Sequence, residues 1–297
     1  MRILLVGGAG YLGQGLAGYF RKKKHTVMIW DQKEDLFKLS PRVLASKKID
    51  LLVNLSLCHS RQHARYQLES PAETVNVFGA RHLAKILQKT EIMWIQISTR
   101  EIFPAIYRRE DVSETRFSYR PRFLVDETYS PHPQNFYGKT KLMAEFFAES
   151  HPWGNVIRLT SPYTDDDHPM GGWVLRILKN IAERKPVTLS GTGKQFRDPL
   201  HVDDLGSLME NMFLQRIQGE MFHAGGGHRN ILSLRQFVSA AGHTGRIQYQ
   251  GPGDFGFGFD NAKAAKLLGW KPAIDIRKKI PVILRNIRKN LPGGIKR

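Results

Sequence analysis

The stretch "RILLVGGAGYLGQGLAGYFRKKK" (2–24) constrains the fold more than any other part of the chain. A short apolar run ends in glycines, and an amphipathic run follows at once. A strand that turns through glycines into a helix is the opening of a parallel β/α unit. The alternation continues through residue 161. "TVMIWD", "DLLVNLS", "IMWIQIS" and "NVIRLTS" read as buried strands. "PAETVNVFGARHLAKILQK" and "YGKTKLMAEFFAES" carry apolar residues at helical spacing.

The expected fold is therefore α/β, a Rossmann-type doubly wound parallel sheet with a smaller C-terminal region. Residues 1–161 are expected to form the dinucleotide-binding domain, with part of 187–220 returning to it. Residues 162–186 and 221–297 are expected to form the smaller region. The segment 104–133 breaks the rhythm. It is polar and carries arginines 108, 109, 116, 120 and 122. A loop of that length inside a compact domain usually serves function or is disordered. The tail "IRKKIPVILRNIRKNLPGGIKR" alternates apolar and basic residues. It reads as an amphipathic helix packed on its own domain rather than a membrane anchor.

The loop "GGAGYLG" satisfies G-x-G-x-x-G through Gly8, Gly10 and Gly13, and G-x-x-G-x-x-G through Gly7, Gly10 and Gly13. Such glycines permit a tight turn and close approach of backbone to a pyrophosphate. The following helix then offers free N–H groups and the positive end of its dipole. The alternative is that they serve only helix packing. Strand two ends in Asp31, whose carboxylate can bond both hydroxyls of an adenosine ribose and would repel a 2′-phosphate. NAD is thus expected over NADP, a preference tempered by the nearby Lys33.

Further along, "YGKTK" puts Tyr137 and Lys141 one helical turn apart on a shared face. An ammonium beside a phenol favours the phenolate. Bringing a tyrosine from its reference pKa near 10 to about 7 takes roughly 4 kcal/mol of differential interaction. A tyrosine so tuned can take a proton from an alcohol while hydride leaves carbon for a nicotinamide. The strand end "ISTREIFP" (97–104) offers the Thr99 hydroxyl for the same site.

The whole chain resembles the extended short-chain dehydrogenase/reductases of the nucleotide-sugar epimerase/dehydratase group. The resemblance rests on "GGAGYLG", Asp31, "DLLVNLS", "SPAETVNVFGARHLAKIL", "STREIFP", "YGKTK", "GTGKQFRDPLHVDDL", "HAGGG" and "DNAKAAKLLGWKP". It implies that Thr99 orients a sugar hydroxyl, that Tyr137 is the acid/base, and that Lys141 also holds the nicotinamide ribose. It implies cofactor contacts from Gly7, Gly10, Tyr11, Leu12 and Gly13. Further cofactor contacts are implied for Asp31, Leu55, Asn76, Ser98, Tyr137, Lys141 and Pro162. It implies that the smaller C-terminal region is the substrate-binding region for a nucleotide-diphosphate sugar, with Arg197 facing the nucleotide and Ser161 standing where many epimerases have a substrate-contacting Asn. The resemblance further implies a homodimer through the helices that carry "VNVFGARHL" and "YGKTKLMAEFF".

Departures from the family pattern narrow the chemistry. Dehydratases of this group carry S-T-D-E where this chain has Ser98-Thr99-Arg100-Glu101. A guanidinium stays charged and cannot be the acid that protonates a departing hydroxyl. Ordinary 4,6-dehydration is therefore disfavoured. Glu101 could remove a proton alpha to a transient ketone, or simply pair with a loop arginine. Arg100 could bind an anionic substrate group, or be an exposed strand-end charge. The chain between Asp31 and Asp50 is short, so the family's third strand is expected to be trimmed, as in the dTDP-4-dehydrorhamnose reductase branch.

Two enzymatic readings follow. The first is an NAD-dependent epimerase or isomerase that returns its cofactor unchanged. The second is a net NAD(P)H-dependent reductase of a 4-keto sugar. A non-catalytic NAD-binding regulator is a third reading, which the intact Thr99, Tyr137 and Lys141 oppose. The formal charge of +18, from 45 Lys+Arg against 27 Asp+Glu, favours anionic partners. It suits a nucleotide diphosphate, and no nucleic-acid recognition motif accompanies it. A single cysteine, Cys58, excludes a disulfide framework and points to the cytoplasm. No apolar run reaches the roughly 18 residues of a membrane span, and no metal site is expected.

Overall fold

The computed structural model describes residues 1–31, 35–58, 70–104, 124–251, 253 and 256–291, with two short strands between 112 and 121 described through their backbone. Lys33 and the side chains of the arginines at 108–122 lie outside the described residues.

In chain order the first elements are β1 (Arg2–Val6), α1 (Tyr11–Lys22), β2 (Thr26–Trp30), α2 (Pro41–Lys47) and β3 (Leu51–Asn54). A continuous helical run follows: α3 (Pro71–Glu73), a π-helical turn (Thr74–Phe78) and α4 (Gly79–Leu87). Then come β4 (Met93–Thr99), a 3-10 turn (Arg100–Ile102), the antiparallel pair β5 (Val112–Glu114) and β6 (Tyr119–Pro121), α5 (Phe136–Glu149) and β7 (Gly154–Leu159). The remainder is β8 (Ser161–Tyr163), α6 (Trp173–Ala182), β9 (Val187–Ser190), β10 (Phe196–Arg197), β11 (Pro199–His201), α7 (Val202–Leu214) and β12 (Met221–Ala224). It closes with β13 (Leu232–Ser233), α8 (Leu234–Ala240), β14 (Ile247–Gln250), α9 (Ala262–Leu268) and α10 (Ile276–Asn290).

Six strands form one parallel sheet in the order β12-β7-β4-β3-β1-β2. Its strands are largely apolar because both faces are covered. In β1, Ile3 and Leu5 face a core shared with α1 and α7, while Leu4 and Val6 face one shared with α2, α4 and α5. Each such fully buried side chain contributes about 1.5–3 kcal/mol relative to exposure. As expected, the third strand is trimmed: residues 35–50 hold only a 3-10 turn and α2, which leaves β2 at the edge.

A second core gathers α6, β9, α8 and α10. The basic tail is indeed a helix packed on its own domain. Ile276, Ile280, Ile283, Leu284 and Ile287 of α10 are buried, and Arg277, Lys278, Arg285, Arg288 and Lys289 face solvent. No helix among the described residues is long and apolar enough to cross a membrane.

One boundary is corrected. Residues 221–224 were expected in the smaller region, but β12 pairs with β7 in the main sheet, and Ala264 and Leu268 of α9 join the sheet's core. The physical reason is that β7 would otherwise be an edge, and the apolar "MFHA" covers it.

Candidate active site

The glycine loop meets two different demands. Gly7 has φ +77, and a Cβ there would stand 2.6 Å from the Ser56 N. A Cβ on Gly13 would stand 2.4 Å from the Gly8 O. Those two glycines are required by the protein itself, for the approach of the β3 loop and of α1. Gly10 differs: a Cβ there would meet nothing closer than the Gly7 O at 3.5 Å, an ordinary contact. The fold alone has room for a side chain at Gly10. Gly10 also precedes α1 with no side-chain cap, so the first N–H groups of the helix are not bonded by a capping side chain. Asp31 lies at the rim of this loop, where its Oδ2 accepts the Ala9 N–H at 2.6 Å.

The side chains on either side serve the protein. Tyr11 Oη accepts the Thr164 N–H at 2.8 Å and Leu12 packs on the main core. The Leu55 N–H donates to the Val6 O at 2.8 Å, extending the pairing of β3 with β1. Ser161 and Pro162 lie half-buried on β8, which pairs with β11 just after β7, and Arg197 lies on β10 with its Nη1 donating to the Phe196 O.

At the end of β4, Thr99 caps the 3-10 turn, its Oγ1 accepting the Glu101 N–H at 3.2 Å. The same hydroxyl hydrogen-bonds the Tyr137 phenol. Two residues that sequence reasoning missed bring these groups together. Asn135 caps α5 by accepting the Gly138 N–H at 2.7 Å, and its Nδ2 donates to Glu101 Oε2 at 2.9 Å. A Cβ on Gly138 would stand 2.2 Å from the Glu101 O, so only glycine lets the first turn of α5 press against this corner. The signal was present as "NFYG", a helix cap with a glycine at its third helical position.

Lys141 is 3% exposed, and its ammonium has no hydrogen-bond or ion-pair partner among the described residues. Burial pushes it down to about 8, opposed by the charge of Glu145. The expected lowering of Tyr137 by Lys141 is not found. Burial pushes the phenol up to about 12, the Thr99 hydrogen bond opposes this, and the Glu101 charge reinforces it. Tyr137 as a whole is half-buried.

Three further expectations are corrected. Ser98 donates its hydroxyl to the buried Glu145, so its side chain points beneath the corner rather than toward a cofactor. Asn76 lies in the π-helical turn and is fully engaged by protein. It exchanges hydrogen bonds with the Cys58 backbone at 3.0 and 3.2 Å and donates to Thr140 Oγ1 at 3.0 Å. Arg100 is not an exposed strand-end charge. It is 8% exposed, its guanidinium lies 4.4 Å from the Phe257 ring centroid, and its charge acts on the fully buried Asp198. Desolvation nevertheless raises Asp198 to about 7, against the hydrogen bonds it accepts from the Phe259 and Gly226 N–H groups.

A family model described as the RmlD substrate binding domain matches residues 1–241. A putative UDP-glucose 4-epimerase of Methanocaldococcus jannaschii is 22% identical, covering 97% of this chain and 99% of its own. A dTDP-glucose 4,6-dehydratase from Bacillus anthracis, solved in complex with NAD, superposes with a TM-score of 0.78 at 20% identity, over 98% of this chain and 97% of that one. A UDP-glucuronic acid 4-epimerase from Bacillus cereus, solved with UDP-glucuronic acid and NAD, gives 0.76 at 19% identity, over 97% and 99%. At these identities the structural likeness speaks for the fold alone.

Proposed function

The chain belongs to the RmlD substrate binding domain family, within the extended short-chain dehydrogenase/reductases, and from that premise we propose that it is an NAD-dependent epimerase or isomerase of a nucleotide-diphosphate sugar. The observation that carries this is the Thr99–Tyr137 hydrogen bond beside a buried Lys141 ammonium that has no hydrogen-bond partner among the described residues. Three features support NAD as the group bound: the unfilled space at Gly10, the uncapped start of α1, and a carboxylate at the rim in Asp31. A bound nicotinamide supplies the hydride acceptor and donor. The chain's own residues do the rest. Thr99 orients the sugar hydroxyl, and Tyr137 takes its proton and returns it. Lys141 offers its free donors to ribose hydroxyls and opposes the negative charge that develops on the phenolate. Glu101, aimed by Asn135, is the base for a proton alpha to a transient ketone. We place the sugar nucleotide between the sheet's C-terminal edge and the second core, with Ser161 and Arg197 facing it. Arg100, being turned inward, is left out of that contact set.

The second reading, net reduction of a 4-keto sugar, is favoured by one observation: the sheet ends at β2 with no strand in residues 35–50. Incubation with UDP-, GDP-, CDP- and dTDP-sugars separates the two. Epimerisation with no net consumption of reduced cofactor supports the first. One equivalent of NAD(P)H consumed per product would exclude it.

The glycines offer a contrast. Gly10→Ala is expected to melt as the parent does but to weaken NAD binding at least tenfold by calorimetry. Gly13→Ala is expected to lower the melting temperature, because its methyl meets the Gly8 backbone. Equal stability losses in both would sink the idea that Gly10 is kept for a ligand.

Lys141 gives a pH prediction of opposite signs. Turnover should fall as pH rises through about 8, because the ammonium is lost. The contribution to stability runs the other way. The folded value lies below the reference 10.5, so the buried ammonium destabilises the fold fully below about pH 8, and that cost fades as pH rises toward 10.5. In Lys141→Met, the stability difference from the parent should shrink across this window.

We also propose a cytoplasmic homodimer. Phe78 beside α4, with Met143 and Phe146 on α5, leaves an exposed apolar face, Phe146 being 69% exposed. Phe146→Glu is expected to yield a monomer in sedimentation analysis. An unchanged dimer would redirect the interface elsewhere.

A further inference from the structure

We infer that Glu145 is a positioning residue of the catalytic corner, holding α5 against the end of β4 and presenting its carboxylate to Lys141; this rests on the reading of that corner given above. Glu145 lies one helical turn beyond Lys141, so the two side chains leave the same face of α5. Its carboxylate accepts the hydroxyl of Ser98, the residue before Thr99. It also accepts a fork from Arg158 on β7: Nη2 to Oε2 at 2.8 Å and Nε to Oε1 at 3.1 Å.

The bonding continues across the sheet. Arg158 Nη1 donates to His223 Nε2 on β12 at 3.4 Å, and His223 Nδ1 donates to the Val125 O at 2.9 Å. A carbonyl can only accept, so the ring proton sits on Nδ1 and the Nε2 lone pair faces Arg158. Burial pushes the imidazole down to about 3, so it stays neutral in that role. Ser98, Glu145, Arg158 and His223 are all buried. A buried network with its members satisfied fixes one arrangement, because any slip strands a charge.

The consequence for the corner is geometric. Two of the contacts of α5 with the β4 end lie on either side of Lys141. Gly138 packs on the Glu101 backbone, and Glu145, two turns on, holds Ser98. Tyr137 stands beside the first clamp and Lys141 lies between the two. Removal of the Glu145 clamp takes away the contact that fixes α5 on the far side of Lys141, and the Tyr137–Thr99 geometry is expected to loosen. The charge argument is separate. The charged groups around Glu145 are Lys141 and Glu149 on its own helix and Arg158 on β7, while β4 contributes the neutral Ser98. Of these, Glu145 is the acid that acts on Lys141.

A purely structural ion pair would stabilise the fold without tuning Lys141, so the test titrates Lys141 itself. The probe is the Cε resonance of isotope-labelled lysine, assigned by its loss in Lys141→Met. In Glu145→Gln the Lys141 midpoint is expected to fall below that of the parent. The kcat for the sugar nucleotide is expected to fall about tenfold or more, with KM within about threefold. An unmoved midpoint in a folded Glu145→Gln protein overturns the inference. Should that variant not fold, Glu145→Met with Arg158→Met strands neither charge, and its Lys141 midpoint is read in the same way. Ser98→Ala removes one bond of the clamp and keeps both charges. It is expected to lower kcat with the Lys141 midpoint unmoved, and an unchanged kcat removes the clamp from the account. If no nucleotide sugar is turned over by the parent, the proposed function fails, while the Lys141 midpoint still decides the role of Glu145.

Discussion

Tyr137→Phe is expected to lower kcat by about 10²–10⁴-fold, the range that a positioned acid/base contributes, while leaving the fold and NAD affinity close to those of the parent. The ring remains to fill its place against α5 and the cleft. What goes is the hydroxyl that Thr99 holds and that exchanges a proton with the sugar. The burial that raises this phenol to about 12 also means that the free protein keeps it protonated at neutral pH. The developing phenolate therefore needs a positive neighbour at the moment of reaction, and Lys141 is a buried cation on the same helix face. Steady-state rates with the best sugar nucleotide, beside calorimetry for NAD, check both halves. A variant within about tenfold of the parent would take the acid/base role from Tyr137.

Arg158→Met should be the most destabilising conservative-volume change in the sheet. Arg158 and Glu145 are buried to 3% and 1% exposure and joined by a forked hydrogen bond. Removing the guanidinium strips the buried Glu145 carboxylate of its forked partner and leaves only the Lys141 charge to oppose it, at a cost of about 3–5 kcal/mol. For a chain of this size that corresponds to a fall in melting temperature on the order of 10 °C. Replacing both partners by methionine should recover most of the loss, because the isolated charge is gone as well. Chemical denaturation of the two single variants and the double variant measures this. Equal losses in Arg158→Met and the double variant would mean that packing, not charge, governs the site.

Much of this molecule could be read from its residues, and the limit has a physical form. The alternation of apolar runs with amphipathic ones follows from local periodicity, so the parallel sheet, the trimmed third strand and the packed tail helix were all legible. So was the placement of Tyr137 and Lys141 one turn apart, because both lie within one helix. Side-chain direction at the strand end was not. Arg100 turns inward because Phe257 and Asp198, far along the chain, offer it a ring face and a buried carboxylate. Ser98 turns away from the cleft because Glu145 rises from α5 beneath it. Asn76 sits on a helix with an extra residue in its turn, which shifts the face it presents, and no periodicity marks that. The return of β12 was missed for a related reason. Four residues followed by three glycines carry too little pattern to distinguish a sheet strand from a turn.

The trimmed sheet also accounts for a cluster of charge that the cleft does not use. With no strand beyond β2 among the described residues, the outer N–H and C=O groups of Thr26–Trp30 face away from any partner strand. An open edge of this kind invites the strands of other molecules, and lysines placed at its approach are a common defence. Lys22, Lys23 and Lys24 are all exposed and lead directly into that strand, and Lys47 lines the apolar groove beside it. Part of the excess positive charge is then a guard against self-association. Neutralising those three lysines would be paid in solubility rather than in turnover.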